Sequence, residues 1–181
     1  MDIRFATGNK FKVEALEKWL EKPVQQVNLD LVEIQAIQVR DVIEHKAREA
    51  YRIVGKPVIV EDTGLYFAAW NGLPGALIRW YLETVGNDGI CQMLTAFDDV
   101  SATAESCWGY FDGTTFHEFS GVVAGSISRE PRGEHGFGWD PIFIPAGWNK
   151  THAEMTPEES KTISMRRQAI LKLRAYLEEQ R

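Results

Sequence analysis

Side chains that suit phosphate binding occur near the start of the chain, in Thr7-Gly8-Asn9 and the helical pattern that follows it. The first turn of a helix offers unpaired N–H groups and the positive end of the helix dipole, and both favour phosphate. Gly8 would let the backbone approach a ligand closely. Lys12 falls within the apolar face of this helix, which is predicted to include Phe11, Leu16 and Leu20, so its ammonium group should point along the buried side. In the alternative interpretation, Asn9 only caps the helix and Lys12 extends to water.

A pair of adjacent carboxylates, Glu61 and Asp62, follows the apolar residues 58–60, which are predicted to form a buried strand. Ligands of open α/β sheets bind beyond the carboxyl ends of strands, and carboxylates there commonly hold a hard cation. Adjacent strand residues point to opposite faces, so only one of the two acids should face a site squarely. Thr63 is predicted to begin a turn and to offer a hydroxyl or amide group to phosphate. Solvated acids in an ordinary turn are the alternative.

Three further features are weaker candidates. Glu33 lies between two apolar residues and would supply a second carboxylate for a metal ion. Lys46 lies at the edge of the apolar stripe of a predicted helix over residues 40–54, where a lysine usually extends to water. The stretch Gly136-Phe137-Gly138-Trp139-Asp140-Pro141 combines freely turning backbone, two flat rings and a carboxylate, which suits stacking on a purine. A glycine-rich turn whose rings fill the core is the alternative.

The apolar pattern predicts the elements that must hold these groups. Strands are predicted at residues 2–6, 24–29, 58–60, 102–111, 114–128 and 142–144, with a tight turn at Asp112-Gly113. Helices are predicted from Asn9 to about residue 21 and at residues 40–54, 75–85 and 88–97. One last helix should start at Thr156, with Pro157 and Glu159 in its first turn, and should include Ile163 in its apolar stripe. The sequence therefore predicts a single mixed α/β domain over residues 1–181.

Composition narrows the classes of protein to which the chain can belong. Its 181 residues, 44% hydrophobic and 25% charged, are typical of one globular domain. The 20 Lys and Arg residues against 26 Asp and Glu give a net charge of −6, which argues against a nucleic-acid partner. The sequence has no signal-peptide pattern and no apolar run of membrane-spanning length. Cys91 and Cys107 form no CxxC pattern, so we expect a cytoplasmic, reducing location without membrane attachment.

Five stretches together resemble the inosine-triphosphate pyrophosphatase family, and they occur in the family's order over nearly the whole chain. They are Phe5-Ala6-Thr7-Gly8-Asn9-Lys10-Phe11-Lys12, Val60-Glu61-Asp62-Thr63-Gly64-Leu65, Asn71-Gly72-Leu73-Pro74-Gly75, Gly136-Phe137-Gly138-Trp139-Asp140-Pro141 and His152-Ala153-Glu154-Met155. The resemblance implies an elongated mixed β-sheet flanked by helices, with two lobes and a central cleft. It also implies a homodimer.

The resemblance further implies a reaction and a role for each candidate residue. The reaction is Mg²⁺-dependent hydrolysis of non-standard purine nucleoside triphosphates (ITP, dITP and XTP) to the monophosphate and pyrophosphate, which clears them from the nucleotide pool. Asp62 and Lys12 would be catalytic, and Glu33 with Asp62 would bind Mg²⁺. The triphosphate would be bound by Thr7, Gly8, Asn9, Lys12, Lys46 and Thr63. The base and sugar would be bound by Phe137, Gly138, Trp139 and Asp140.

The end of the base pocket departs from the family pattern. Family members usually have a lysine and then Ser-His-Arg at the start of the last helix, whereas this chain has Met165 in place of the histidine, before Arg166. Lys161 is also one position nearer to the arginine. A thioether is at best a weak hydrogen-bond acceptor, so the base preference can be relaxed or changed. Two alternatives therefore stay open: the same reaction on another modified or damaged nucleotide, and a non-catalytic nucleotide-binding protein.

Overall fold

The computed structural model describes residues 4–180, which form a mixed α/β structure. The strands are β1 (Arg4–Ala6), β2 (Gln25–Val27), β3 (Val58–Phe67), β4 (Pro74–Gly75), β5 (Ser101–Phe111), β6 (Phe116–Ile127) and β7 (Phe143–Pro145). The helices are α1 (Lys10–Leu20), α2 (Val39–Val54), α3 (Ile78–Thr84), α4 (Gly86–Leu94), α5 (Pro157–Thr162) and α6 (Met165–Glu179). Residues 2 and 3 of the first predicted strand lie outside the described residues.

The strands form one mixed sheet in the order β2-β1-β3-β5-β6-β7, and β4 pairs with β3. β1 is parallel to both β2 and β3, whereas β4 is antiparallel to β3 and β7 is antiparallel to β6. Parallel neighbours need a crossover connection, and α1 and α2 supply it. The predicted mixed α/β sheet with flanking helices is confirmed.

The described chain divides into two compact units, each with its own apolar core. Unit 1 consists of the described residues within Met1–Thr63, Ser106–Gly121 and Arg166–Arg181, and unit 2 of Gly64–Glu105 and Val122–Met165. The core of unit 1 includes Phe5, Leu16, Leu20, Ile59, Trp108, Ile170 and Leu173. The core of unit 2 includes Leu65, Phe67, Ile78, Ile90, Ile127, Ile142 and Phe143. Within residues 4–180, no helix is both long and apolar enough to cross a bilayer.

β3 is longer than predicted, and this changes the setting of the two carboxylates. The prediction of a strand end at residue 60 and a turn from Thr63 is wrong, because the strand continues to Phe67. β1 pairs with Val58 and Ile59, while Leu65 and its neighbour pair with β4. β5, on the other side of β3, and β4 keep the chain extended beyond the point where β1 ends. Glu61 and Asp62 therefore lie in mid-strand, beside the carboxyl end of β1.

The final segment forms two helices where one was predicted. α5 starts as expected: the Glu159 N–H donates to Thr156 Oγ1 (3.2 Å), and the Thr156 N–H donates to the Glu159 carboxylate (2.9 Å). The helix ends at Thr162, because the Ile163 N–H bonds to the Ser160 carbonyl in a tightened last turn. Ile163 has φ −118° and lies between the helices, so it is not part of the stripe of α6.

Candidate active site

The start of α1 is capped by two side chains of the first predicted phosphate stretch. Asn9 Oδ1 accepts the N–H groups of Phe11 (2.9 Å) and Lys12 (3.4 Å), and Thr7 Oγ1 accepts the Asn9 N–H (3.1 Å). Asn9 therefore has the capping role given above as the alternative. Because the cap engages N–H groups of the first turn, a phosphate bound here would compete with Asn9 for them. The phosphate contacts of Thr7, Gly8 and Asn9 stay predictions.

Lys12 points inward from α1, as its place on the apolar face predicted. Its side chain is 23% exposed, and Nζ forms an ion pair with Oε2 of Glu61, whose side chain is fully buried. Phe11 was expected on the same face, but it is 78% exposed, so that expectation is wrong. Leu16 and Leu20 supply the buried contacts instead. The helix thus turns the ammonium group of Lys12, and not the ring of Phe11, toward β3.

Glu61 is the centre of this cluster; the sequence paired it with Asp62 as a candidate ligand of a cation, but the family resemblance assigned a role to Asp62 only. Arg166 Nε lies 3.7 Å from Glu61 Oε1, and the Ser106 hydroxyl lies 3.5 Å from the same oxygen. The indole N–H of Trp108 in turn donates to Ser106 Oγ at 3.0 Å. Lys12 comes from α1, Ser106 and Trp108 from β5, and Arg166 from α6. Because these partners are far apart in the chain, no local sequence pattern could have identified the cluster.

The charges of the cluster shift one another's pKa. Burial alone would lower the pKa of Lys12, but the Glu61 carboxylate outweighs burial and raises that pKa above its usual value. Burial alone would raise the pKa of Glu61, but the positive charges of Lys12 and Arg166 lower it. Lys12 and Glu61 are therefore both charged at neutral pH. Lys12 and Arg166 thus share the buried Glu61, while Asp62 adds a second negative charge beside them; both cations are partly exposed, so an anionic ligand can contact them.

Asp62 lies next to this cluster and has unused hydrogen-bonding capacity. Its Oδ1 accepts the Thr63 N–H at 2.8 Å, and among residues 4–180 no second hydrogen bond to this carboxylate is found. Burial raises the pKa of Asp62, although Lys46 and Lys12 act in the opposite direction. Asp62 is half-buried, so a ligand can reach the rest of its carboxylate, and removing water from its charge is costly unless a cation compensates it. Asp62 therefore fits a ligand of a hard cation such as Mg²⁺.

Glu33 and Lys46 are joined by a short ion pair, with Lys46 Nζ 2.5 Å from Glu33 Oε1. Glu33 is half-exposed in the segment between β2 and α2, and Lys46 on α2 is 14% exposed. The alternative interpretation expected Lys46 to extend to water, and this is wrong. Its charge also acts on Asp62, after the larger effect of burial. The two predicted metal ligands are thus linked through one lysine, and both offer the hard oxygens that Mg²⁺ prefers.

The glycine-rich loop of unit 2, residues 136–141, is held together by Asp140. Asp140 Oδ2 accepts the Phe137 N–H at 2.9 Å, and Oδ1 lies 3.3 Å from His152 Nδ1. Gly136 (φ 81°) and Gly138 (φ 63°) adopt positive φ values, and a Cβ at Gly136 would overlap the Asp140 carboxylate. Asp140 is thus engaged inside the loop, and its contact with a base or sugar stays a prediction.

The predicted base-binding residues of unit 2 differ in exposure. Phe137 is 64% exposed and presents its ring at the surface of the loop. Trp139 is half-buried and packs against the core of unit 2, as does Met165 at the start of α6. Trp139 thus packs against the core while it stays partly exposed, and its contact with a base stays a prediction. Lys161 is exposed in the last turn of α5.

The His152-Ala153-Glu154-Met155 stretch supports the glycine-rich loop. It forms a 3-10 helix (His152–Glu154) that begins with a capping box between Thr151 and Glu154. The Ala153 N–H donates to the Asp140 carbonyl at 3.1 Å, and the Ala153 carbonyl accepts the His135 N–H at 3.2 Å. These bonds fasten both sides of the loop to one small helix. The stretch therefore acts by positioning the loop.

Residues 3–176 match the model of the Ham1 family. The chain belongs to the Ham1 family. It is 42% identical to an inosine triphosphate pyrophosphatase of Schizosaccharomyces pombe, over 99% of the chain and 96% of that protein. It is 40% identical to a dITP/XTP pyrophosphatase of Methanopyrus kandleri, over 94% of the chain and 93% of that protein. The resemblance seen in the sequence motifs is confirmed.

Solved structures of Ham1 proteins have the same fold as this chain. A Ham1 protein from Coxiella burnetii superposes with a TM-score of 0.88 at 29% identity, and the match covers 99% of each chain. The Staphylococcus aureus Ham1 protein also has a TM-score of 0.88, at 26% identity over 100% of each chain. The sequence matches and the fold therefore give the same family assignment.

Proposed function

We propose that this Ham1 protein is a nucleoside-triphosphate pyrophosphatase that hydrolyses non-standard purine nucleoside triphosphates, such as ITP, dITP and XTP. The products would be the nucleoside monophosphate and pyrophosphate. The observation that carries the proposal is the cluster in which Lys12 and Arg166 meet the buried Glu61, directly beside Asp62. The names of the curated relatives support the substrate class.

The reaction requires one bond to form and one to break at the α-phosphorus. The oxygen of a water molecule would attack that phosphorus, and the bond to the oxygen that bridges to the β-phosphate would break. Asp62, with its unused hydrogen-bonding capacity, would orient the water and accept its proton. Lys12 and Lys46 would stabilise the negative charge that builds on the departing pyrophosphate.

Mg²⁺ is the proposed cofactor, and Glu33 and Asp62 would hold it. The ion would supply positive charge against the phosphate oxygens when bound. Two features support this choice: both residues offer hard carboxylate oxygens, and burial raises the pKa of Asp62, which an added cation would counteract. Thr7, Gly8, Asn9 and Thr63 are proposed to contact the triphosphate.

The base and sugar are proposed to be bound by Phe137, Gly138, Trp139, Asp140, Lys161, Met165 and Arg166. The exposed ring of Phe137 supports stacking on a base. We extend the proposal to one catalytic domain over residues 1–181, a homodimer and a cytoplasmic location without nucleic-acid or membrane partners. The family resemblance supports the homodimer, and the acidic sequence without membrane-spanning runs supports the location and the absence of those partners.

A second candidate is the same reaction on another modified or damaged nucleotide. Met165 favours it, because a thioether supplies only a weak acceptor where family members usually have an imidazole. A non-catalytic nucleotide-binding protein is disfavoured, because a binder would not need a carboxylate with unused hydrogen-bonding capacity, Asp62, beside two cations.

The test is to incubate the protein with ITP, with and without Mg²⁺, and to identify the products by phosphorus NMR. We expect IMP and pyrophosphate only when the metal is present. Running the reaction in water labelled with heavy oxygen should place the label on IMP, because attack at the α-phosphorus puts the water oxygen there. Release of orthophosphate, or label in pyrophosphate, would refute the proposed bond cleavage. A panel of ITP, XTP, dITP, ATP, GTP and oxidised deoxynucleotides would then separate the two substrate classes.

A further inference from the structure

We propose that Glu61 is a positioning residue of this site, which orients Lys12 toward the triphosphate and ties it to Arg166 without touching the substrate. This inference rests on the proposed function, because it assigns Lys12 to triphosphate binding. It gives a role to a residue that neither the metal site nor the base pocket uses.

The burial of Glu61 excludes direct contact with a ligand from the surface. Its side chain is 0% exposed, whereas that of Lys12 is 23% exposed and that of Arg166 is 22% exposed. Oε2 is paired with Lys12, and Oε1 faces Arg166 and Ser106. Glu61 can therefore act on a substrate only through these partners, two of which carry positive charge and reach the surface.

Glu61 is itself anchored from the core side. Trp108 is fully buried and its indole nitrogen can only donate, so Ser106 Oγ must be the acceptor in their 3.0 Å bond. The proton of the Ser106 hydroxyl then remains available for Glu61 Oε1. The Trp108 ring packs against Phe5 of β1, with 5.1 Å between ring centroids. The carboxylate is thus fixed by neighbouring strands of the sheet.

A fixed carboxylate matters because lysine by itself is a flexible ligand. Its ammonium group sits on a long, flexible chain and must be held to bind phosphate with little loss of entropy. The anion also separates two like charges, Lys12 and Arg166, which would otherwise repel each other in a region of low dielectric. Without Glu61, both cations should move toward solvent, and the positive charge at the start of α1 should lose its fixed position.

A double-mutant cycle separates this role from a purely structural one. The variants are Glu61→Gln, Lys12→Met and the double variant, and Glu21→Gln is the matched control. Glu21 pairs with Arg174 at 2.8 Å outside the cluster, so its loss should leave activity unchanged. We would measure binding of inorganic tripolyphosphate by calorimetry without metal, kcat and KM for ITP with Mg²⁺, and the unfolding midpoint of each variant.

We expect Glu61→Gln to weaken tripolyphosphate binding by about 10-fold or more, the size of a strong coupling between contacting residues. In the Lys12→Met background the same change should weaken binding by less than about 2-fold, because Lys12 is no longer there to be oriented. Ser106→Ala keeps the carboxylate and removes its anchor, so it should raise KM for ITP; it should also lower the unfolding midpoint, because the Trp108 N–H loses its acceptor.

Equal losses in both backgrounds would overturn the inference, as would a Glu61→Gln variant with wild-type affinity and wild-type KM. The inference is also overturned if Glu61→Gln lowers the unfolding midpoint but leaves tripolyphosphate affinity and KM unchanged. If the wild-type protein hydrolyses ITP while the cycle is additive, the inference fails and the proposed function stands. If the wild-type protein binds tripolyphosphate but releases no pyrophosphate, the proposed function fails while the cycle still tests the positioning of Lys12. If it neither binds tripolyphosphate nor hydrolyses ITP, both are overturned.

Discussion

Replacing Lys12 by methionine should destabilise the protein through the carboxylate that it leaves behind. Methionine keeps much of the volume of the lysine side chain but removes its charge. Glu61 would then lie fully buried with Arg166 at 3.7 Å as its nearest remaining cation. Removing one member of a buried ion pair destabilises a protein far more than replacing both members by apolar residues, because the remaining charge is left without a partner.

The expected loss of unfolding free energy in Lys12→Met follows from the burial of the ion pair and from the partners that Glu61 keeps. Breaking a buried ion pair by removing one member costs roughly 3–5 kcal/mol. Lys12 is 23% exposed and Arg166 compensates in part, so we expect a smaller cost than that range, about 2–3 kcal/mol. For a chain of this size that corresponds to a fall in unfolding midpoint of roughly 4–12 °C. Adding Glu61→Gln to Lys12→Met should recover about half or more of the loss, because the uncompensated charge disappears.

Urea unfolding followed by tryptophan fluorescence and circular dichroism measures these free energies. Lys150→Met is the matched control, since it breaks a Lys–Glu pair (Lys150–Glu159, 2.9 Å) in which Lys150 is 48% exposed. That change should cost less than about 1 kcal/mol. The reasoning would be refuted if Lys12→Met were as stable as the control, or if the double variant with Glu61→Gln were less stable than Lys12→Met alone.

Three further predictions concern catalysis, base choice and pH. Asp62→Asn can keep the hydrogen bond from the Thr63 N–H but cannot take up a proton from water. Its kcat should therefore fall by about 100-fold or more in steady-state assays while its circular dichroism spectrum is unchanged. A folded variant with a near wild-type rate would remove Asp62 from the mechanism. Met165→His should raise kcat/KM for ITP and XTP relative to ATP and GTP, and an unchanged ratio in that substrate panel would remove Met165 from base selection. The backbone N–H of Thr156, and then Lys150, lower the pKa of Glu159 below its usual value near 4.5. The stabilisation that the Glu159 carboxylate contributes is therefore present above that value and is lost as the pH falls through the lowered pKa. Glu159→Gln should flatten the acid side of a plot of unfolding free energy against pH. A profile as steep as that of the wild type would contradict this.

Local patterns in the sequence predicted the elements whose cause is local. Asn9 caps α1, Thr156 and Glu159 form the predicted box, and the Asp112 carboxylate accepts two N–H groups in the hairpin turn after β5. Each of these contacts spans only two or three residues, so the sequence contains everything that determines it. The inward direction of Lys12 followed for the same reason, because helical periodicity fixes which side faces the core.

One error arose where distant segments decide the outcome, and two arose at the ends of helices. β3 continues past Asp62 because β5 and β4 pair with it, and an apolar run of three residues gives no sign of those partners. Phe11 is hydrophobic and has the right spacing, yet it lies at the first turn of α1, where the helix has not reached the core. Ile163 ends one helix although its spacing suits the next, because the last turn of α5 is tightened by a bond to Ser160.

The sequence by itself determined the family, the mixed α/β class and the residue types available for chemistry, because motifs and periodicity are properties of neighbouring residues. Only the tertiary structure showed that Glu61 pairs with Lys12 and faces Arg166, and that Lys46 joins Glu33. These ion pairs join elements that are distant in the chain, and their strength depends on burial, which no single segment can set. The electrostatics of the candidate site are therefore a product of the fold.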